Sequence, residues 1–239
     1  MSFPIDLLPR ILAAAIGAAL LVWSVFEIQR DIRVTPYARA ATRIEGNEKF
    51  SKEVLLRLGA GADALLAGSA CDSRTLRTAV TLDLAALDVM TTDNDILTLD
   101  QRQAAAVDAT RAAVRCIPMD GNLWLRAAML EAATVGKSDK LIGMLRASYR
   151  TAPNEAWIIQ KRLNFVGRLF AAGVTEIQSE YETDIRKLLS RGEIFDAAHA
   201  FVEVSKAGIP LYQAAFDRLP AERREALAKA IKRLQQPPG

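Results

Sequence analysis

The chain has 239 residues, of which 51% are hydrophobic and 25% are charged. This length is enough to bury a sizeable core in one domain or two, and the apolar share argues against an intrinsically disordered chain. Glycine and proline are sparse (13 and 9 residues), as in helical globular proteins. The net charge of +3 is small and includes no long Lys/Arg block, so nucleic acid is not an expected partner.

The N-terminal region carries a long apolar run. Residues 11–26 contain no charged side chain. A helix extended over residues 7–28 would be about 33 Å long at ~1.5 Å per residue, which is enough to cross a hydrocarbon core of ~30 Å. Arg10 and Trp23 are suited to its two interfaces. We therefore predict a transmembrane helix over residues 11–28, which anchors the chain by a single pass in a bacterial inner membrane.

Two other interpretations of the apolar run compete with the anchor. The first is a cleaved signal peptide, but the small-x-small site Ala38-Arg39-Ala40 lies a dozen residues beyond the run, too far for usual processing. The second is the buried helix of a soluble protein. The anchor leaves residues 1–10 as a short tail and, because Thr35-Pro36 is expected to break a helix, residues 29–37 as a linker.

The remaining residues, 38–236, are expected to form one all-α domain. A helical pattern runs from Ala38 to Leu58, with a weak point at Gly46-Asn47. Towards the C-terminus, a capping box at Thr175 and a proline at position 220 mark two of the helix starts. In this region we predict helices over residues 175–191, 192–207, 211–218 and 221–235.

The two cysteines are expected to form a disulfide. A helix capped by Ser73 begins beside Cys71, and a second helix, opened by the capping box Thr98-x-x-Gln101, ends at Cys116. The short loop between these helices makes them antiparallel, so Cys71 and Cys116 meet. Such a bridge stabilises by about 4 kcal/mol in the chain-entropy model. The alternative is a pair of ordinary buried thiols.

The stretch from Cys116 to Trp157 contains a recurring pattern. Trp124 and Trp157 lie thirty-three residues apart, and each follows a proline in a short turn and begins a helix. Between them a helix, a turn at Gly136 and a second helix form one unit. The recurrence predicts an array of stacked antiparallel helical hairpins.

This pattern resembles the tetratricopeptide repeat (TPR) family, in which Trp and small residues precede a Gly and a closing Pro. The matching residues of two degenerate units are Trp124, Ala127, Ala128, Gly136 and Pro153, then Gly192, Ala197, Phe201 and Pro210. The resemblance implies a concave groove that binds a peptide or a partner helix. We expect the first helix of each hairpin to line this groove, near Trp124, Arg126, Arg162 and Phe165.

The layout also resembles TPR-type accessory proteins of bacterial exopolysaccharide synthesis. The shared features are one N-terminal anchor, the segment Arg43-Ile-Glu-Gly-Asn-Glu-Lys-Phe50, and a Cys-x-Pro-x-Asp-x-x-x-Trp turn from Cys116 to Trp124. This resemblance implies a role in the synthesis or export of a polysaccharide.

Residue patterns that support cofactor or metal chemistry are lacking. The single histidine, His199, lies within an amphipathic pattern and is expected to be structural, since a zinc site or a catalytic triad needs more partners. Gly136-Lys-Ser lacks the upstream glycine of a phosphate loop, and Asp93-Asn-Asp95 lacks the later ligands of a calcium loop. We therefore expect no cofactor, no metal and no enzymatic activity. Two carboxylates that meet across helices, as in glycosidases, remain the basis of an alternative.

Two signals disagree about the side of the membrane on which the helical domain lies. Four arginines follow the apolar run within twenty residues, and this count favours the cytoplasm. Paired cysteines favour an oxidising compartment such as the periplasm. We weight the cysteines more and predict a periplasmic domain.

The favoured function is that of a membrane-anchored scaffold or adaptor with a protein partner. One alternative is an envelope enzyme that acts on glycans with carboxylates in a helical cleft. A second alternative is a structural homo-oligomer.

Overall fold

The computed structural model describes residues 7–46, 48–66, 71–90 and 96–236. These residues form eleven α-helices and no strand, which confirms the all-α prediction. The predicted loop at Asp93–Asp95 lies outside the described residues. The helices are α1 Leu7–Glu45, α2 Lys52–Leu66, α3 Ser73–Met90, α4 Ile96–Cys116, α5 Gly121–Thr134, α6 Asp139–Thr151, α7 Ala156–Ala171, α8 Gln178–Arg191, α9 Ile194–Val202, α10 Ile209–Asp217 and α11 Ala221–Leu234.

The chain divides into two compact units, Met1–Ala109 and Thr110–Gly239, with α4 continuing across the boundary. The single domain expected over residues 38–236 is therefore divided. The physical reason is that the end of α1 packs with α2 and α3 into a first core, whereas the helices from α5 onwards share a second one.

Helix α1 runs without interruption through Pro36, so the linker predicted over residues 29–37 is wrong. A proline within a helix removes one backbone hydrogen bond, here to the carbonyl of Ile32. On either side of Ile32, α1 is held to the first unit: an Arg30 Nη2–Asp72 Oδ1 ion pair of 2.6 Å joins it to the residue before α3, and Val34 is buried. The weak point predicted at Gly46 does end the helix.

The first part of α1 is long and apolar enough to cross a membrane, by its length and composition. Its large apolar side chains from Ile11 to Ile28 are each more than half exposed. An apolar helix that none of the described residues covers is compatible with a membrane anchor or a signal sequence.

Small side chains let the helices of the first unit approach closely. Gly61 of α2 packs on Tyr37 of α1, and a β-carbon at Gly61 would lie 2.4 Å from the tyrosine ring. The core of this unit consists of Ala40, Ala41, Ala62, Ala79 and Leu82. On α3, Leu76, Val80 and Leu87 are buried, and Leu84 is partly buried.

The central helical hairpin, α5 and α6, forms as the sequence indicates. Asp120 caps α5, and its Oδ1 accepts hydrogen bonds from the amides of Asn122 (3.0 Å) and Leu123 (3.1 Å). Gly136 takes a positive φ of 85° in the turn, which favours glycine, and Ser138 caps α6. The further stacking of hairpins into a TPR-like array stays a prediction.

The Cys-x-Pro-x-Asp-x-x-x-Trp turn forms the start of α5. Besides the Asp120 cap, the indole Nε1 of Trp124 donates to the carbonyl oxygen of Pro118 at 2.7 Å. The proline and the tryptophan therefore fix the approach of the chain to the helix. This local role explains the residue pattern without any ligand.

Several predicted helix ends are shifted. Asp72 rather than Ser73 caps α3, since its Oδ2 accepts from the amide of Thr75 at 2.9 Å. Thr98 lies inside α4, and α8 begins only at Gln178, so neither capping box forms. Helix α9 ends at Val202, short of the predicted end. The last helix, α11, does follow Pro220.

Both cysteines, Cys71 and Cys116, are disulfide-bonded. Since the chain contains only these two, the predicted bridge is confirmed.

Candidate partner-binding pocket

The groove expected near Trp124, Arg126, Arg162 and Phe165 does not form from these residues. Arg126, Arg162 and Phe165 are buried, and Trp124 is partly buried with its indole engaged in the α5 start. These side chains pack inside the second unit, so a partner cannot reach the three buried ones. Three of the four predicted groove residues, Arg126, Arg162 and Phe165, are thus core residues.

Arg162 is the most completely enclosed of the four, with 0% of its surface exposed. Its Nη1 donates to the last carbonyls of α6, those of Ser148 (3.0 Å) and Ala152 (2.9 Å). Its Nε and Nη2 donate to the two carboxylate oxygens of Asp184 on α8, at 2.7 and 3.1 Å. Its guanidinium carbon lies 4.4 Å from the ring centroid of Tyr149. Arg162 therefore joins α6, α7 and α8.

An open pocket lies instead where α7 begins and α8 ends. Its volume is about 240 Å³. Its polar side chains are two basic ones, Lys187 and Arg191, and one amide, Asn154. The full lining is Asn154, Ala156, Ile159, Lys187, Leu188, Arg191 and Gly192.

Two exposed aromatic side chains flank this pocket along the chain. Trp157 follows the lining residue Ala156 and is 47% exposed, with the Lys161 ammonium 5.1 Å from its ring centroid. Phe195 stands three positions after the lining residue Gly192 and is 62% exposed. A tryptophan and a phenylalanine left in solvent beside a concave pocket are the features of a binding surface.

His199 belongs to the surface and not to the core. Its ring packs edge-on against Phe195, with 4.5 Å between the ring centroids, and its Nδ1 lies 3.8 Å from Glu203. The side chain is 43% exposed. Both of these contacts are with residues four positions away in the chain. The structural role expected for His199 stays a prediction.

The electrostatics of the pocket favour an anion. Its lining, which lies wholly in the described residues, holds two basic side chains and no carboxylate. The Lys187 ammonium also donates to the carbonyl of Pro153 at 2.5 Å, which holds it at the pocket. Glu155, the residue before α7, makes no side-chain cap to that helix.

Sequence reasoning missed this site because the recurring pattern marks Trp157 only as a residue that begins a helix. The buried positions of α7 are 158, 159, 162, 163, 165, 166 and 167. This stripe follows the helical period, and Trp157 lies just outside it. The helical spacing of these positions is the sequence signal from which the exposure of Trp157 could have been predicted.

The first unit contains a buried carboxylate, that of Asp83 on α3. It is 1% exposed, and neither of its oxygens has a hydrogen-bond partner among the described residues. Burial and, to a smaller extent, the charge of Asp63 raise the pKa of Asp83, Arg102 opposes the rise, and the net result is a pKa of about 7. Arg102 pairs with Asp63 at 2.8 Å.

A carboxylate-based enzyme needs a carboxyl group that the fold does not already use, and Asp83 is the described carboxylate whose buried oxygens lack a hydrogen-bond partner. It lines neither the pocket above nor the cavities that contain Arg33 and Asn164. In the described part of the chain, no three His, Cys, Asp or Glu side chains converge to hold a metal ion. The geometry gives the enzyme alternative no support from these residues.

No family model matches the chain, and no curated protein or solved structure matches it either. The resemblances to TPR proteins and to exopolysaccharide accessory proteins accordingly stay predictions.

Proposed function

We propose that this protein is a membrane-anchored helical adaptor. Helix α1 holds it in a bacterial inner membrane by a single pass, and the second unit binds a protein partner. The observation that carries the proposal is Trp157, a large aromatic side chain that is 47% exposed beside a basic pocket. Tryptophan and arginine are the residue types that most often dominate the binding energy of interfaces.

The chemistry of the pocket selects an acidic partner segment. A carboxylate of the partner, from an acidic side chain or a C-terminus, enters between Lys187 and Arg191, where charge-assisted hydrogen bonds are strong. An apolar side chain next to this carboxylate covers Trp157. The resemblance noted above makes a polysaccharide synthesis or export assembly the proposed setting.

The proposal places the helical units in the periplasm. A disulfide persists in oxidising compartments and is rare in the cytoplasm. The arginines that argue for the cytoplasm have roles within the fold: Arg30 pairs with Asp72, and Arg43 pairs with Glu48. Two of the four arginines after the apolar run are therefore accounted for without reference to topology.

Site-specific photo-crosslinking in intact cells tests the adaptor function. A photo-reactive amino acid at Trp157 is expected to yield a discrete adduct with another membrane-associated protein. The same residue at Val135, which is 65% exposed but distant from the pocket in sequence, is the control and is expected to yield none. An adduct with a second copy of the chain at Trp157 would favour the structural homo-oligomer and overturn the adaptor.

Charge reversal tests the role of the basic lining. Arg191→Glu is expected to reduce the yield of the Trp157 adduct at least tenfold, because it places a negative charge at the carboxylate site. Arg186→Glu is the matched control: it lies on the same helix, is exposed and does not line the pocket. Equal yields for the two variants would contradict recognition through the pocket.

A further inference from the structure

A large cavity lies within the first unit, where α1 leaves its apolar run. Its volume is about 880 Å³. Helix α1 contributes residues from Phe26 to Tyr37, helix α2 contributes Gly61, Ala64 and Leu65, and Thr75 of α3 completes the lining. The cavity therefore begins at the membrane end of α1 and is closed by the helices that pack on it.

The position of this cavity along α1 sets its depth relative to a bilayer. Arg30 and Arg33 stand two and five residues beyond Ile28, which at ~1.5 Å per residue is about 3 and 8 Å along the helix axis. The polar layer on each side of the hydrocarbon core is roughly 5–8 Å thick. With α1 as a membrane anchor, both guanidinium groups lie at the level of the lipid headgroups.

The walls combine apolar surface with a cationic rim. Phe26 and Ile32 are each 67% exposed, and Leu65 continues the apolar lining on α2. Of the charged lining residues, two are arginines and one, Glu27, is a carboxylate. The excess charge of the rim is positive.

The two arginines differ in the ion pairs that they form within the fold. Arg30 pairs with Asp72 at 2.6 Å and with Glu27 at 3.4 Å, so its charge is largely used within the fold. Arg33 is exposed and has no ion-pair partner among the described residues. Its guanidinium presents five donors that match a phosphate.

We propose that this cavity binds one anionic phospholipid of the surrounding membrane. The lipid phosphate accepts hydrogen bonds from Arg33, and an acyl chain lies along Phe26 and Leu65 towards the hydrocarbon core. A water-soluble anion would leave the apolar walls uncovered, so the geometry selects an amphiphile. Packing of Tyr37 on Gly61, where no β-carbon fits, gives the far end of the cavity a firm wall. This inference rests on the proposed anchoring by α1.

Native mass spectrometry of the full-length protein, released from detergent micelles, tests the site with phosphatidylglycerol as the probe. We expect one phosphatidylglycerol to bind and phosphatidylcholine to bind at least tenfold more weakly. Arg33→Glu is expected to reduce phosphatidylglycerol binding at least tenfold. Arg39→Glu is the control, since Arg39 is also exposed on α1 but does not line the cavity. Equal losses in both variants would show general surface electrostatics and overturn the site.

A second pair of variants tests the cavity without a change of charge. Ala64→Trp fills the cavity from an exposed lining position and is expected to exclude the lipid, whereas Ala60→Trp lies on α2 outside the lining and is expected to leave binding unchanged. Undiminished binding in Ala64→Trp would overturn the proposal. Glycerol phosphate in excess is expected not to displace the lipid, and displacement would show that a free phosphate is the ligand.

The anchor is measured separately from the lipid site. Membranes are washed with alkaline carbonate, and the protein is expected to remain in the membrane fraction at its full length. Release by the wash, or loss of the N-terminal segment, would refute the anchor itself. Retention of the protein together with normal lipid binding by Arg33→Glu would refute only the lipid site.

Discussion

Gly121 at the start of α5 packs directly on Ala152 at the end of α6: a β-carbon at Gly121 would lie 2.3 Å from the β-carbon of Ala152 and 3.0 Å from its backbone nitrogen. The hydroxyl of Ser148 also donates to the carbonyl of Gly121 at 2.7 Å. The two ends of the hairpin are thus joined by a contact that admits only glycine.

Gly121→Ala is expected to lower the free energy of unfolding by about 1–3 kcal/mol, since the added methyl overlaps a rigid neighbour. Gly143→Ala is the opposite case, because Gly143 lies within α6 and nothing stands within 4 Å of its added β-carbon. That variant is expected to gain about 0.5–1 kcal/mol from helix propensity. Denaturant unfolding of the full chain in micelles measures both, and effects of the same sign would contradict the packing.

Removal of one partner from the buried pair of Arg162 and Asp184 is expected to be costly. Arg162→Met leaves the Asp184 carboxylate enclosed without its guanidinium, and we expect a loss of about 3–5 kcal/mol. Arg168→Met, at an exposed position of the same helix, is the control and is expected to change stability by less than about 0.5 kcal/mol. The double variant Arg162→Met, Asp184→Leu is expected to be more stable than the single one. A double variant as unstable as the sum of the two single losses would contradict the coupling.

Asp83 is expected to make stability depend on pH. Burial raises its pKa to about 7 in the folded state, whereas a carboxyl in the unfolded chain titrates near 3.9. The folded state therefore holds more protons between these values, and the free energy of unfolding falls as the pH rises from about 4 to 7, by up to roughly 4 kcal/mol. Above pH 7 this contribution is constant.

The melting temperature of the full chain at pH 5.5 and pH 8 measures this effect. The protein is expected to melt at a lower temperature at pH 8, and Asp83→Asn is expected to remove most of the difference. Asp108→Asn, an exposed position on α4, serves as the control and should keep the difference. A wild-type protein with equal melting temperatures at both pH values would show that Asp83 is not buried as a carboxyl.

The Asp120 cap is expected to contribute locally to the central hairpin. Asp120→Ala removes the acceptor of two amide hydrogen bonds and should cost about 1–2 kcal/mol. Asp120→Asn retains a side-chain oxygen and should cost much less. Unfolding curves of the two variants test the cap, and equal losses would assign the effect to charge and not to capping.

The disulfide is expected to stabilise the chain and to report its compartment. Replacement of both cysteines by serine should lower stability by up to about 4 kcal/mol, as a loop of this length predicts. In intact cells, a bulky maleimide applied to denatured protein should label both cysteines only after reduction. Labelling without reduction would place the helical units in a reducing compartment and overturn the periplasmic assignment.

Much of the fold follows from the sequence because it depends on local interactions. The α5–α6 hairpin, with its turn at Gly136 and its cap at Asp120, is set by residues within a few positions of one another. The apolar run of α1 is equally predictable, because its recognition needs only the composition and the length of the segment. The disulfide was predictable because two helix ends each carry a cysteine.

Helix continuity and helix ends escaped prediction where distant residues decide them. Pro36 is tolerated inside α1 because Arg30 and Val34 are held by the rest of the first unit. Thr98 and Thr175 carry capping patterns that the chain does not use, since packing places the helix starts elsewhere. A local signal worth about 1 kcal/mol yields to such contacts.

The candidate site was decided by tertiary structure alone. Composition gives no sign that Arg162 is a core residue, because its burial depends on the simultaneous arrival of Asp184 and of two α6 carbonyls. Trp157 is a tryptophan like Trp124, yet it stays exposed because the buried stripe of α7 passes beside it. The sequence by itself determined which segments are helices and which one is apolar enough for a membrane. Which charged and aromatic side chains remain in solvent depends on the phase of each helix against its neighbours, and only the packed structure sets that phase.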